Sequence, residues 1–135
     1  LDVYRDKLEF PDLLRKVRET GRTIWFYNRE VKINKVIIED ANIGTALIQA
    51  LQNERFPVTA VKPNTDKITR LTSVSGIVES GFVNLPEDAP WAETFLMELC
   101  CFPNTKHDDQ VDAFAYALDE LRQPSTWAYG NLRGF

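Results

Sequence analysis

Cysteine is scarce in this chain, and long apolar runs are missing. The two cysteines, Cys100 and Cys101, are adjacent, a spacing that suits neither a disulfide framework nor the separated ligand pairs of a zinc site. They are therefore predicted to be small apolar core residues. No apolar stretch approaches the roughly 20 residues of a membrane-spanning helix, and residues 1–10 lack the pattern of a signal peptide. The expected setting is cytosolic or intracellular.

An excess of basic residues is also missing. The formal net charge is −4, which argues against a protein that coats nucleic acid non-specifically, because such binding depends on many Lys and Arg. The charge does not exclude an enzyme whose acidic centre holds metal ions and contacts nucleic acid at only a few phosphates. Hydrophobic residues make up 44% and charged residues 27%, which is ordinary for a folded globular domain.

The order of strand and helix patterns predicts one α/β domain over residues 1–121, followed by a tail over 122–135. The segments "KVIIED" and "FPVTAVKP" predict short strands joined by a helix, a crossover unit whose strands are expected to be parallel. Strands or extended segments are predicted at 1–5, 35–40, 58–61 and 82–86, and helices at 11–20, with a possible extension through 23–30, and at about 42–54, 67–79, 89–102 and 107–122.

The segment "HDDQVDAF" places three aspartates at the start of the last predicted helix. Residues three or four apart share a helix face, so Asp108 and Asp109 both lie near Asp112, and their charges repel one another unless a cation lies among them. Asp108 as helix cap and Asp109 as a first-turn acid would explain two of them. Asp112 lies beside the apolar stripe and calls for a partner. Metal binding and capping with solvation both stay open.

A second acidic segment, "VIIED", ends a predicted buried strand with Glu39 and Asp40. In α/β sheets the carboxyl ends of the strands border the functional crevice. A strand-end acid facing an acidic helix start would form an oxygen-ligand site for Mg²⁺ or Mn²⁺, and two such ions can support phosphodiester cleavage. The alternative is a solvated strand end, with Asp40 as a helix cap.

Two rival metal chemistries fit the sequence less well. "DDQVD" formally matches the DDxxD pattern of prenyl-transfer enzymes, but those enzymes are longer and all-helical, whereas strands are predicted here. Restriction-type nucleases carry a Glu-x-Lys triplet on a strand near the acid, and no such triplet follows "IIED".

Five segments together resemble one protein family. "LDVYRDKLEFPDLLRKV", "VIIEDANIGTALIQAL", "VKPNTDKITR", "GFVNLP" and "FPNTKHDDQVDAFAYAL" are similar, in this order, to the C-terminal nuclease domain of the large terminase subunits of tailed phages and of related prophage proteins. The resemblance implies an RNase H-like fold, related to Holliday-junction resolvases, with a sheet flanked by helices. It also implies cleavage of double-stranded DNA with two divalent ions, Mg²⁺ or Mn²⁺, in a bacterial host cell.

By position, the resemblance implies roles for four acids. Glu39 resembles the strand-end metal ligand, and Asp108 and Asp109 resemble the late aspartates that ligate metal. Asp112 matches the second acid of the helix-start motif.

The same resemblance implies contacts to DNA by basic residues. Lys62, Lys67 and Arg70 lie in the segment where the family places basic residues near the DNA, and His107 precedes the acids, where it would contact phosphate or metal. The alternatives are a solvated helix start for the three cations and an exposed or hydrogen-bonded loop residue for His107.

The sequence departs from the family at its beginning. The first catalytic aspartate of the family stands on a strand upstream of "LDVYRD", and Asp2 does not match it. No Gly-rich loop ending in Lys-Ser or Lys-Thr is present, so the ATPase motor domain is missing too. The expectation is a fragment or a prophage remnant that binds divalent ions weakly, cuts DNA poorly, and self-associates through an unpaired sheet edge.

The resemblance implies further partners for the intact proteins, namely the ATPase domain, the small terminase subunit and the portal. A junction resolvase is the nearest relative in chemistry. A hypothesis of a different class is a non-catalytic remnant or DNA-docking module that keeps the fold.

Overall fold

The computed structural model describes residues 3–26 and 29–122, and within these ranges it has five helices and four short strands. The chain divides into two compact units, Leu1–Asn64 and Thr65–Phe135. Among the described residues, no helix combines the length and apolar character needed to cross a membrane. The helices and strands make the chain an α/β protein. The order of strand and helix patterns in the sequence predicts this class.

The first unit combines two helices with two pairs of strands. Its elements are α1 (Phe10–Thr20), β1 (Thr23–Phe26), β2 (Arg29–Lys32), β3 (Val36–Glu39), α2 (Ile43–Asn53) and β4 (Val58–Val61). Strands β1 and β2 pair antiparallel, whereas β3 and β4 pair in parallel with Val36 opposite Val58 and Glu39 opposite Val61. The crossover between β3 and β4 is helix α2, which confirms the predicted strand-helix-strand unit.

The core of the first unit forms where the two helices meet the parallel strands. Leu47 and Leu51 of α2 are buried together with Phe56. Apolar residues of α1, β3 and β4 pack against them, namely Phe10, Leu13, Leu14, Val17, Val36, Ile38 and Val58. The apolar residues of α1 and α2 thus pack both helices against the parallel pair β3–β4, in which β3 ends with Glu39.

Gly44 allows helix α2 to begin directly beside the end of β3. A Cβ atom at this position would lie 2.1 Å from the carbonyl oxygen of Glu39, far inside van der Waals contact. Any larger residue would therefore push the helix start away from the strand end.

The second unit contains the remaining three helices, α3 (Lys67–Glu79), α4 (Ala92–Cys101) and α5 (Asp109–Arg122). Val74 of α3 packs with Ala115 and Leu118 of α5 in its core. Phe95 of α4 meets Phe114 of α5 edge to face, with ring centroids 5.3 Å apart. Helix α5 is thus held between α3 and α4.

Most of the predicted helices and the two parallel strands are confirmed, but two local predictions are wrong. The possible extension of helix α1 through 23–30 is replaced by the hairpin β1–β2, because Gly21 ends the helix and β-branched and aromatic residues follow it. No strand forms at residues 3–5, where the backbone has no strand partner among the described residues; residues 1 and 2 lie outside them. Residues 82–86 are also not a strand, which leaves the extended alternative for that segment.

The prediction that the cysteines are core residues is also wrong. Cys100 and Cys101 occupy the end of α4, and both are exposed with free thiols. The inward positions of this helix are taken by Ala92, Phe95 and Glu98 instead.

Candidate functional site at the start of helix α5

The three aspartates of "HDDQVDAF" occupy the first turn of α5 and the residue before it. Asp109 is the first residue of the helix and Asp108 precedes it. The backbone N–H of Asp112 donates to the carbonyl oxygen of Asp108 at 3.1 Å, which places both residues on the same side of the first turn. The predicted crowding of these acids is therefore present.

Arg70 of helix α3 partners Asp112. Its guanidinium forms an ion pair with the Asp112 carboxylate and donates to the backbone oxygen of Thr65 at 2.9 Å. It also lies 4.3 Å from the centre of the Tyr116 ring, a cation–π distance. Only 8% of Arg70 is exposed, so its charge is balanced inside the protein. The expectation that Asp112 requires a partner is confirmed.

Lys67 of helix α3 forms ion pairs with two of the three aspartates, Asp108 and Asp112. Its ammonium is 2.7 Å from Asp108 Oδ1 and 2.7 Å from Asp112 Oδ2. Partial burial lowers the pKa of Lys67, but the hydrogen bonds and charges of the two aspartates outweigh that effect and hold the pKa above its ordinary value. A protein cation thus occupies the space where like charges would otherwise repel.

Asp109 stands apart from this ion-pair group. Its side chain is exposed, and it has no hydrogen bond or ion pair with any residue in the described ranges. His107 is exposed as well. Across those same ranges, no three or more His, Cys, Asp or Glu side chains come together in a group able to hold a metal ion.

Glu98 is a site residue that the sequence reasoning missed. It is buried on α4, 6% exposed, and its carboxylate accepts from the Gln110 backbone N–H at 2.7 Å, the Gln110 side-chain amide at 2.7 Å and the Val111 backbone N–H at 3.3 Å. The sequence does carry a signal for it, because "FLMELCCF" holds one acid three residues after the buried Phe95. A charge at a core-facing helix position needs donors.

The remaining candidate acids and cations belong to the first unit. Glu39 is the last residue of β3 and is half-buried. Asp40 follows it and accepts a hydrogen bond from the Thr45 hydroxyl at 2.8 Å, so it ties the strand end to the first turn of α2. Lys62 comes directly after β4 and is exposed.

The predicted cations thus differ in their surroundings. Lys67 and Arg70 both pair with acids of the α5 start, whereas Lys62 projects to solvent. Neither Lys67 nor Arg70 is fully solvated, as the alternative of a solvated helix start would require.

One comparison with known proteins identifies a family for this chain. Neither the curated proteins nor the solved structures contain a significant match. A family model described as "Terminase RNaseH-like domain" matches residues 7–121, which include every element from α1 to nearly the end of α5. The match agrees with the resemblance to a C-terminal terminase nuclease domain, and the chain belongs to the terminase RNase H-like domain family.

Proposed function

We propose that this chain is the nuclease domain of a phage or prophage terminase large subunit, which cuts double-stranded DNA during genome packaging in a bacterial host. The family match over residues 7–121 carries the proposal. It agrees with the crossover unit and with the acidic start of α5. The proposal includes an RNase H-like arrangement of the complete domain, with residues 1–121 as the domain and 122–135 as a tail.

Within residues 3–26 and 29–122, Asp109 is the side chain best suited to begin a metal site. It is exposed at the start of α5, and a carboxylate oxygen is the ligand that Mg²⁺ and Mn²⁺ prefer. Asp108 is the second candidate, but it shares its Oδ1 with Lys67. Glu39, at the end of β3, is proposed as a strand-end metal ligand.

In this proposal the acids hold and orient the catalytic ions. Divalent ions held by these acids would supply Lewis-acid chemistry for cleavage of a phosphodiester. Asp112 does not ligate; it fixes Arg70 and Lys67 beside the site through its two ion pairs. The proposed metal ligands are therefore Glu39, Asp108 and Asp109.

Contacts to DNA are proposed for the exposed cation Lys62 and for His107. Lys67, whose side chain is 43% exposed, can also present its ammonium to a phosphate while it pairs with the acids. The ATPase domain, the small terminase subunit and the portal are proposed partners of the complete packaging protein.

The activity of this 135-residue chain by itself is proposed to be low. Among residues 3–26 and 29–122, no group of three metal-ligating side chains is assembled, and two of the three clustered aspartates are neutralised by protein cations. Those two observations also favour the alternative, a module that keeps the fold and docks on DNA without cutting it.

Nuclear magnetic resonance on ¹⁵N-labelled protein separates the two functions. Mn²⁺ added in steps to millimolar concentration should broaden the amide signals of residues around Asp109, because the ion is paramagnetic and acts only at short range. The Asp109→Asn variant should lose this broadening. A plasmid incubated with the same protein and Mn²⁺ should be nicked weakly at most.

The matched control is Asp119→Asn, which removes one charge from the same helix ten residues further along. It should bind Mn²⁺ as the unchanged chain does. No localised broadening up to millimolar Mn²⁺ would reject the metal site and support the docking module. Robust plasmid nicking that Asp109→Asn abolishes would show that the chain is a fully active nuclease, contrary to the low activity proposed.

A further inference from the structure

Helix α4 and the loop before it form an open apolar groove in the second unit. Leu85, Pro86, Leu96 and Met97 line this groove, whose volume is about 620 Å³, a size typical of binding clefts. Leu96 and Met97 are 43% and 63% exposed. Apolar side chains that share a groove and stand in water favour a partner that covers them.

The charges around this groove have one sign. Glu87 and Glu93 also line it; both are exposed, and neither carboxylate has an ion pair with a residue of the described ranges. Between Arg70 and Lys106 the sequence holds five acidic residues and no Lys or Arg. A basic, apolar segment therefore complements the groove, whereas the phosphate backbone of a nucleic acid is repelled by it.

The C-terminal segment 123–135 has this complementary composition. Its sequence, "QPSTWAYGNLRGF", holds the aromatic residues Trp127, Tyr129 and Phe135 and the base Arg133, and it has no Asp or Glu. These residues lie outside the part of the chain that the structure describes. Aromatic side chains bury a large apolar area at a low cost in conformational freedom, which suits them to an apolar groove.

The direction of helix α5 brings this segment to the groove. Helix α5 runs opposite to α4, because Gln110 near its start meets Glu98 and Phe114 further along meets Phe95. The end of α5 therefore lies at the level of the first turns of α4, where the groove is. Thirteen residues follow, and when extended they reach up to about 43 Å, several times the diameter of a helix.

We propose that segment 123–135 docks into this groove of its own chain. Its aromatic side chains cover the apolar residues of the groove, and Arg133 pairs with Glu93. Covalent attachment favours this occupant over a free peptide, because a flexible linker holds the segment at an effective concentration of about a millimolar. The contact is independent of the proposed nuclease activity, and it keeps other basic, apolar segments out of the groove.

Met97 gives a direct test, because it is the only methionine of the chain. In the full chain labelled with ¹³C-methyl methionine, nuclear Overhauser contacts are expected between the Met97 methyl group and the ring protons of Trp127 or Tyr129. Trp127→Ala combined with Tyr129→Ala should abolish these contacts and shift the methyl signal. Asn131→Ala changes a polar residue of the same segment and should do neither. Absence of the contacts in the unchanged chain would overturn the docking.

Charge reversal tests the pairing of Arg133 with Glu93. Arg133→Glu and Glu93→Arg should each weaken the Overhauser contacts, and the double variant should restore them, because opposite charges then face one another again. Glu79→Arg reverses an exposed acid of α3 that does not line the groove and should leave the contacts unchanged. Amide spectra check that each variant is folded. A folded double variant that fails to restore the contacts would overturn the proposed pairing and the position it gives the segment.

A mixed sample shows which copy supplies the segment. The labelled chain carries Trp127→Ala and Tyr129→Ala, and it is mixed with the unlabelled, unchanged chain. Only the segment of a second copy can then contact the labelled Met97, so no Overhauser contact is expected. Contacts in this mixture would mean that the segment of one copy fills the groove of another, which overturns docking within one chain.

Discussion

The three aspartates at the start of α5 differ in the cations that pair with their charges. Asp112 is paired with both Arg70 and Lys67, Asp108 with Lys67, and Asp109 with neither. Because a partly buried charge is costly without a partner, Asp112 and Arg70 depend on each other. Asp109, which is exposed, does not depend on a partner for its stability.

Arg70→Met should lower the free energy of unfolding by about 3 kcal/mol, because it leaves the Asp112 carboxylate with a single partner in a mostly buried setting. Chemical denaturation followed by circular dichroism measures this. The matched control is Arg122→Met, which breaks the exposed pair with Asp119 and should cost less than about 1 kcal/mol.

The double variant tests whether the pair itself is responsible. Arg70→Met with Asp112→Leu should cost less than the sum of the two single changes, because both charges are then removed together. Strict additivity would contradict the coupling that the geometry implies.

Lys67→Met should strengthen divalent ion binding several-fold. The change frees Asp108 Oδ1 and removes a positive charge 2.7 Å from two carboxylates, and like charges repel an incoming cation. Isothermal calorimetry with Mn²⁺ measures the affinity, and Lys106→Met, at an exposed lysine of the preceding loop, provides the control. A weaker or unchanged affinity in Lys67→Met would show that Asp108 takes no part in binding.

Among the elements, helix α3 begins with a side-chain cap. Asp66 accepts from the Thr69 backbone N–H at 3.0 Å and from the Thr69 hydroxyl at 2.6 Å. The Thr69 hydroxyl, followed by its N–H, holds the pKa of Asp66 below the ordinary value of 3.8. This cap precedes Lys67 and Arg70, so it also fixes the turn that presents both cations to α5.

Asp66→Ala should lower the melting temperature at neutral pH and much less so in acid. Because the pKa is lower in the folded state, the Asp66 carboxylate stabilises the fold above pH 3.8, and this contribution disappears as the pH falls through the lowered value. Thermal melts of both proteins from about pH 7 to about pH 3 measure the difference.

Asp66→Ser is the matched variant, since serine keeps a capping oxygen without a charge. It should retain much of the stability at neutral pH and show a weaker pH dependence than the unchanged chain. A constant difference between Asp66→Ala and the unchanged chain at every pH would contradict a role for the carboxylate charge.

Elements with a strong local pattern could be predicted from the sequence. Apolar spacing predicts the parallel pair β3–β4 and helices α1, α2, α3 and α5. The position of Asp112 at the edge of the core correctly predicted that its carboxylate has a partner in the fold. The hairpin β1–β2 could not be separated from a helix extension, because its segment "TIWFYNRE" is rich in residues that fit either element when partners are unknown.

The sequence pattern does not predict which residues pair with one another within the site. Lys67 meets Asp108 across 41 positions of sequence, and Glu98 meets Gln110 across a turn between helices. Both contacts depend on tertiary packing. Exposure of Cys100 and Cys101 depends in the same way on which side of α4 faces α5, and Phe95 and Glu98 take that side.

For the whole molecule, the pairing of β3 with β4 leaves their other edges without a strand partner in the part of the chain that the structure describes. Unpaired edges favour pairing between copies, so the mean molar mass in light scattering should rise with concentration. Ala60→Lys places a charge at an exposed position of β4 and should reduce this rise. Ala46→Lys, at an exposed position of α2, should not. A constant monomer mass at all concentrations would contradict the prediction.

The ion pairs at the start of α5 also determine how this part of the molecule meets a nucleic acid. Three carboxylates, Asp108, Asp109 and Asp112, stand with two cations, Lys67 and Arg70, so the group carries one net negative charge instead of three. A phosphate backbone approaching an acidic protein of net charge −4 is therefore repelled here far less than by three bare acids. In the proposed function, these pairs compete with a metal ion for Asp108 and also lower the electrostatic barrier to DNA at the same place.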